Sequence, residues 1–427
     1  MYYSNRQMNT FFKRHIATLQ QFSLLHYFFK WLLLSLLIGV LSGCASAFFL
    51  ISLEWVTNWR ENHLWIIALL PLGGLLIGLL YHYYGTSVVK GNNLLLEELH
   101  SPKEVIPFKM APLVLLGTLI THLFGGSAGR EGTAVQMGGA IADQFTHLFR
   151  LTHSDRKILI IAGISGGFAS VFGTPLAGAV FALEVMVLGR IRYQALFPAF
   201  LTAYAAHYTC LAWGIGHTLY EIPFVPDMSW LNFIYAIGLG IVFGLTAMLF
   251  SKSVHFLTDA FKKTIAYVPL RPFIGGIVIA MAIYLMGTTR YIGLGIPVIV
   301  DAFSAHLSWY DFLLKILFTA FTLGAGFKGG EVTPLFFIGA VLGNVLSFFV
   351  PFPVALLAGM GFVGVFSGAT NTPLACIIMG MELFGFESSL YIAIACIVAY
   401  FFSGHSGIYT AQIHNGLKQV IFKKKKQ

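Results

Sequence analysis

Apolar residues run along the chain in blocks at 31–52, 65–84, 111–125, 133–149, 157–172, 175–188, 195–215, 230–251, 271–287, 311–325, 332–350, 353–369, 373–384 and 388–403. The hydrocarbon core of a bilayer takes about twenty residues of helix, and several of these blocks fall short. Short hydrophobic pieces interrupted by glycine or proline predict broken or re-entrant helices, which survive at membrane depth only where protein or a water-filled cavity covers their open backbone groups. The pattern predicts an all-α polytopic membrane protein of channel or transporter architecture.

The blocks also repeat. Thr174-Pro175-Leu176-Ala177 is followed by Glu184, and Thr372-Pro373-Leu374-Ala375 by Glu382, with an offset of 198 residues. Glu131, in a Gly-Ser-Ala-Gly-Arg-Glu-Gly-Thr turn, and Glu331, in Gly-Phe-Lys-Gly-Gly-Glu-Val-Thr, are 200 apart. Gly91 of Lys-Gly-Asn-Asn and Gly295 of Gly-Leu-Gly-Ile-Pro are 204 apart. A two-fold repeat with interrupted segments in matching places points to a binding site near the membrane midplane. The division expected is a segment 1–30, a first half 31–222, a second half 223–415 opening at Pro223 and Pro226, and a basic tail 416–427.

Composition agrees with a membrane and excludes other classes. Apolar residues are 57% and charged residues only 10% of the 427, against roughly 25% charged in a soluble domain. Too little charge remains to solvate a globular surface. The net charge of +9 sits at the ends: Arg6, Lys13, Arg14 and Lys30 with no acid among residues 1–30, and Lys423 to Lys426 at the close. The positive-inside rule then places both termini in the cytoplasm. No groove-reading module accompanies the basic tail, so its expected partner is anionic membrane lipid and not nucleic acid. Cys44, Cys210, Cys376 and Cys396 stand singly in apolar surroundings, as packing residues without metal-site or disulfide spacing. Leu41-Ser42-Gly43-Cys44 imitates a lipoprotein cleavage site, but it lies too deep in the chain and belongs to the first membrane helix.

An acid within a membrane is a functional candidate by default, because apolar surroundings disfavour its charged form and couple it to proton exchange. Four of the 17 acids qualify: Glu131, Glu184, Glu331 and Glu382. Glu131 precedes an apolar helix in a Gly-rich turn, where free N–H groups and the helix dipole make an anion site. A carboxylate there occupies the site when ionised and leaves it when protonated. Glu331 repeats the design, with Pro334 tolerated early in its helix, although Lys328 is placed to neutralise it. Glu184 and Glu382, nine residues beyond Pro175 and Pro373, suit a structural task between the halves, bonding backbone or Arg and Ser partners. Asn92 offers a neutral amide donor and Tyr409 a phenol, although alone they would be a helix cap and an interfacial anchor. No hydrolase, nucleotide or metal motif stands in a supporting context. The fourteen histidines are dispersed, His405 and His414 reading as interfacial, and no metal or other cofactor is expected.

Taken together, Gly129-Arg130-Glu131-Gly132, Gly173-Thr174-Pro175-Leu176-Ala177-Gly178, Gly330-Glu331-Val332-Thr333-Pro334, Asn371-Thr372-Pro373-Leu374-Ala375 and the late Tyr409 resemble the CLC chloride channels and transporters, over roughly residues 30–415. The resemblance implies a homodimer with one pathway per subunit, each built from two antiparallel halves whose helix N-termini converge on the anion. Chloride-selective members usually carry Gly-Ser-Gly-Ile-Pro where this chain has Gly91-Asn92-Asn93-Leu94-Leu95. Thr133 closes the GREG turn in place of proline, and Gly-Glu-Val-Thr-Pro replaces Gly-x-Phe-x-Pro. These departures look like the fluoride/proton antiporter branch, CLC-F, which protects bacteria from accumulated fluoride.

By that resemblance Glu131 is the gating glutamate, and Asn92 and Tyr409 hold the central anion together with the backbone at Gly91, Gly129, Arg130, Gly132 and Val332. Val185 stands where chloride/proton exchangers often place an inner proton-transfer glutamate, so Glu331 and Thr333 become candidates for the inner part of the cycle. The function implied is fluoride export in exchange for protons across a bacterial plasma membrane, by a transporter and not an enzyme. The alternatives are a chloride/proton antiporter or passive chloride channel of the same fold, or a membrane-embedded enzyme with Glu131 and Glu331 as paired carboxylates.

Overall fold

Sixteen α-helices divide into two runs of eight among residues 20–188, 192–405 and 407–414, the parts of the chain described by the computed structural model. The first run is α1 (Gln20–Asn62), α2 (Leu70–Tyr83), α3 (Asn92–His100), α4 (Met110–Leu123), α5 (Glu131–Leu148), α6 (His153–Phe172), α7 (Pro175–Glu184) and α8 (Leu196–Ala212). The second is α9 (Trp230–Thr264), α10 (Leu270–Met286), α11 (Ile296–Asp301), α12 (Asp311–Ala325), α13 (Val332–Leu346), α14 (Val354–Thr370), α15 (Pro373–Phe384) and α16 (Ser389–Phe402). A two-residue parallel pair, β1 (Val187–Leu188) with β2 (Ile413–His414), ties the C-terminal segment back to the end of α7. Arg6, Lys13, Arg14, Ser406 and the Lys423–Lys426 tail lie outside the described residues.

The same local chemistry builds the same elements twice. Gly173 closes α6 and Asn371 closes α14 in the left-handed conformation, with φ of 74° and 59°. A proline then opens the next helix in each half, where its missing N–H costs nothing. Within each half the site-bearing helix crosses its successor at glycine. A Cβ on Gly138 of α5 would lie 2.2 Å from the Gly163 carbonyl oxygen of α6. One on Gly339 of α13 would lie 2.0 Å from that of Gly361 in α14. Small residues let membrane helices approach backbone to backbone.

Among the described residues, only α1, the stretch Leu64–Tyr83 and α9 are long and apolar enough to cross a membrane alone; other apolar helices have 10 to 17 residues. Among these, the helices opened at Val332 and Pro373 begin at buried or half-buried residues, so their N-termini lie within the protein. The expected first block, 31–52, continues as helix to Asn62, and the block 65–84 divides into a 3₁₀ turn, Leu64–Leu69, and α2, with Pro71 at the break. Two helices escape the hydropathy pattern, α3 and α11. The first is short and carries Glu97, Glu98 and His100; the second has six residues.

Candidate functional site

The turn before α5 and the turn before α13 meet back to back. Gly129 N–H donates to the Gly330 carbonyl at 2.6 Å and Gly330 N–H to the Gly129 carbonyl at 2.8 Å, an isolated antiparallel bridge between the halves. Nothing larger than glycine fits, since a Cβ on Gly330 would lie 2.8 Å from the Gly132 nitrogen. Ser127 adds two cross-half bonds, from its N–H to Thr322 Oγ1 at 3.1 Å and between its Oγ and Thr319 Oγ1 at 2.9 Å.

Glu131, first residue of α5, is 1% exposed and reaches across this bridge. Its carboxylate accepts from Thr333 Oγ1 at 2.5 Å, Thr333 N–H at 3.1 Å and Arg130 N–H at 3.1 Å. The Arg130 Nε lies 3.6 Å away. Val332 and Thr333 open α13, so the carboxylate occupies the N-terminus of the opposite half's helix, the place where orphan N–H groups receive an anion. Thr133 does not share in this; its hydroxyl bonds Thr118 Oγ1 at 2.7 Å.

Two cavities flank the turn. One, of about 140 Å³, is lined by Asn92, Gln136, Lys328, Glu331 and Tyr409 among others. The second, of about 30 Å³, is lined by Arg130, Glu131, Tyr220, Thr333, Phe336 and Phe362. Glu331 opens on the first and Thr333 on the second, so the start of α13 divides them. Phe336 and Phe362 stack at 3.9 Å between centroids and 10° between planes, an apolar wall beside the Glu131 carboxylate.

Asn92 and Asn93 open α3 but have different surroundings. Asn93 Oδ1 accepts from Ala411 N–H at 3.0 Å, fastening α3 to the segment that carries Tyr409. That segment is held further by Ile408 N–H on the Ala369 carbonyl at 2.9 Å and by Gln412 Nε2 on the carbonyls of Val185 and Thr370 at 2.9 and 3.0 Å. Asn92 packs its amide against Gly132, where a Cβ would lie 3.0 Å from Nδ2, and its Oδ1 has no hydrogen-bond partner among the described residues. Asn92 and Tyr409 line the cavity together.

Two expectations need correction. The Gly129 and Gly91 N–H groups are not open to an anion, because they bond the carbonyls of Gly330 and of Val88, the latter at 3.2 Å. These glycines admit the close approach and, at Gly91, the φ of +56°. Nor is Lys328 paired with Glu331: no ion pair joins them among the described residues, and the Lys328 ammonium lies 4.1 Å from the centroid of the Tyr81 ring.

Glu184 and Glu382 serve each other's halves. Glu382 accepts from Leu176 N–H at 3.0 Å and Ala177 N–H at 2.8 Å, at the start of α7. Glu184 accepts from Leu374 N–H at 3.1 Å and Ala375 N–H at 2.8 Å, at the start of α15. Each acid ends one half's broken helix and caps the other's, just behind Pro175 and Pro373. Replacing either with alanine should lower stability by about 1–2 kcal/mol, the cost of a lost charged helix cap. Thermal unfolding in detergent measures this, and unchanged midpoints for both variants would show the caps to be idle.

Sequence reasoning missed Gln136, whose signal was an amide inside an apolar helix five residues after Glu131. It also missed the stacked phenylalanines, which in a chain with 40 Phe give no signal. The network of Arg156, Glu98 and Asp143 at the far end of α3 was missed as well. Its three members lie in three separate helices.

A family model described as "Voltage gated chloride channel" matches residues 73–404. The chain is 54% identical over 399 residues to a "Chloride/fluoride channel protein" of Pseudomonas syringae pv. tomato, covering 92% of this chain and 88% of the relative. Its fold superposes on the crystal structure of a CLC-type fluoride/proton antiporter with a TM-score of 0.89 at 37% identity, covering 91% of this chain and 98% of the other. A slow cyanobacterial Cl−/H+ antiporter shares the fold at a TM-score of 0.78 and 20% identity, over 93% and 99% of the two chains. With its paired helix runs, interlocked Gly-rich turns and buried Glu131, this chain is a multi-pass membrane protein that belongs to the voltage-gated chloride channel family, the CLC channels and transporters.

Proposed function

We propose that this protein exports fluoride from the cytoplasm in exchange for protons. The observation that carries the reading is the Glu131 carboxylate seated on Thr333 N–H and Oγ1, a protonatable group in an anion site with a cavity on either side. Protonated, the side chain gives up the site and an anion takes its place; ionised, it closes the path. Fluoride is small and strongly hydrated, so its site must replace water with short, directed donors. The Asn92 amide, the Tyr409 hydroxyl and the first N–H groups of α5 and α13, at Gly132 and Val332, are of that kind. Glu331 and Thr333, on opposite sides of the divide, carry the inner part of the cycle. The fluoride/proton antiporter and the chloride/fluoride channel protein described above support the choice of ion.

Orientation follows from where the cations lie. Lys30 pairs with Asp155 at 2.8 Å, Lys157 reaches the His100 carbonyl, and the His82 and Tyr267 rings touch. These contacts bring Lys30 and Lys157 to the start of α6 and set the end of α2 against the segment between α9 and α10 that Lys262, Lys263 and Arg271 flank; we read these segments as one face, with Arg60 and Arg290 on the other. The positive-inside rule makes the first face cytoplasmic. The larger cavity then opens toward the cytoplasm and Arg130 toward the outside. Two copies pair in the lipid bilayer, each with its own pathway.

The test is fluoride efflux from liposomes holding the purified protein, read with a fluoride electrode, with chloride in parallel and a pH gradient imposed or removed. Proton-driven fluoride movement with chloride much slower is expected. Chloride moving as fast as fluoride would make the protein a chloride carrier on the same fold. Asn92→Ser should raise chloride flux relative to fluoride; an unmoved ratio would reduce Asn92 to a helix-opening residue.

A further inference from the structure

The larger cavity has two lysines on its wall, Lys90 and Lys328. They differ in what holds them. The Lys90 ammonium is bound to the Glu97 carboxylate at 2.6 Å, so its charge is already answered. Lys328 has no acid partner among the described residues; its ammonium lies 4.1 Å from the centroid of the Tyr81 ring. A cation on an aromatic face keeps its charge while the ring fixes its position. The stem is fixed as well, because it lies flat on α4. A Cβ on Gly117 would come within 2.9 Å of both Lys328 Cβ and Cγ.

The charge inside this cavity therefore reduces to two groups. Lys90 and Glu97 cancel, leaving Lys328 against Glu331, which shares the cavity and makes no ion pair with it. With both charged the cavity is neutral on balance. Without Lys328 it would carry one uncancelled carboxylate in front of the neutral donors Asn92, Gln136 and Tyr409. An anion approaching from that side would then meet repulsion before it met a donor.

We propose that Lys328 is the capture residue for small monovalent anions in this cavity, held ready by the Tyr81 ring and the Gly117 backbone. It offsets Glu331 and supplies a pre-positioned positive donor to the cavity that Asn92 also lines. A lysine suits this task better than an arginine fork would, since a compact ammonium is a point charge that a single small ion can approach closely. Tyr81 is a positioning residue and touches no anion in this scheme. The inference rests on the transport reading above only for the direction of flow, and the choice between fluoride and chloride does not affect it.

The experiment uses the full-length protein in two settings. In liposomes, anion efflux is measured against the anion concentration on the side of the larger cavity, for wild type, Lys328→Met, Lys328→Arg and Tyr81→Leu. In detergent, sodium fluoride and sodium chloride are titrated calorimetrically onto the same proteins and onto Lys328→Met/Glu331→Gln. The expected result for Lys328→Met is a half-saturating concentration and a dissociation constant raised by about tenfold or more, the lower end of what losing a charged hydrogen-bonding partner costs. Its maximal rate should stay within about twofold of wild type, and its affinity should lose its sensitivity to ionic strength. Lys328→Arg, which keeps the charge, should show the smaller loss, and Tyr81→Leu an intermediate one. The double variant, neutral again, should bind more tightly than Lys328→Met alone, the sign of a direct coupling between the two charges.

Unchanged affinity in monodisperse Lys328→Met would overturn the proposal. So would a lower maximal rate with affinity intact, which would make Lys328 a packing residue on Gly117 and Tyr81. A wild type that carries chloride and not fluoride would refute the fluoride reading while leaving the Lys328 comparison to be read on chloride. If no anion moves, the calorimetric arm still decides the capture role.

Discussion

Glu131→Gln should abolish proton movement, down to the leak of protein-free liposomes. The glutamine carbonyl can still accept from Thr333, but a carboxamide neither takes up nor releases a proton at physiological pH. The native carboxylate collects three donors, Thr333 Oγ1, Thr333 N–H and Arg130 N–H, and a charged acceptor holds such donors about twice as strongly as a neutral one. The variant should thus loosen its hold on the start of α13 and let anions pass without a countermoving proton. A pH-sensitive dye in the vesicle lumen, read beside the fluoride electrode, separates the two fluxes. Proton-coupled fluoride transport persisting in Glu131→Gln would remove Glu131 from the gate. Thr333→Val, which deletes the hydroxyl donor alone, should weaken closure and leave the proton site in place.

The second large effect is on stability. Arg156, at the start of α6, donates from Nε and Nη2 to Asp143 at 2.8 Å each and from Nη1 to Glu98 at 3.0 Å. It also binds the Glu104 carbonyl. Asp143 is fully buried and further accepts from Ile106 N–H at 2.8 Å; Glu98 accepts from Lys103 N–H at 2.8 Å. Removing the guanidinium strands two carboxylates away from water. Breaking a buried charge network from one side costs about 3–5 kcal/mol, so Arg156→Met should unfold far earlier than wild type on heating. Because Glu98 and Asn92 belong to one helix, the surviving fraction should also bind fluoride more weakly. Arg156→Met/Asp143→Asn, with one stranded charge removed, should recover part of the stability. Equal midpoints for Arg156→Met and wild type would show that the network is solvated and weak.

How much of this could be read beforehand depends on whether a feature is local in sequence. The repeat, the broken helices and the Gly-rich turns were legible because each is written in a few consecutive residues whose backbone needs glycine or proline. Glu131 and Glu331 stood out because acids are few, whereas Asn92 and Tyr409 became candidates only through the repeat and the family resemblance. What could not be read lies between distant residues. Nothing local tells that Glu184 ends at Leu374 while Glu382 ends at Leu176, or that Gly129 N–H is taken by Gly330. The 15-residue α12 hides Lys315, fully buried, whose ammonium donates to the carbonyls of Tyr291 and Gly293 at 3.1 and 2.9 Å. Helix α3 eluded the hydropathy pattern because five of its nine residues, Asn92, Asn93, Glu97, Glu98 and His100, are polar.

The clasp of Gly129 on Gly330 sets the scale of motion available for transport. With Ser127 and the reciprocal Glu184 and Glu382 caps, it stitches the halves together at their centre. Rocking one half against the other, the device of many carriers, would break these bonds together inside an apolar interior. On the transport reading proposed above, exposure of the ion then passes from one side to the other by relocation of the Glu131 side chain within a frame that stays still. A carrier of that kind resembles a pore with a turnstile, and substitutions that merely shrink the turnstile should convert it toward free conduction without disturbing the frame.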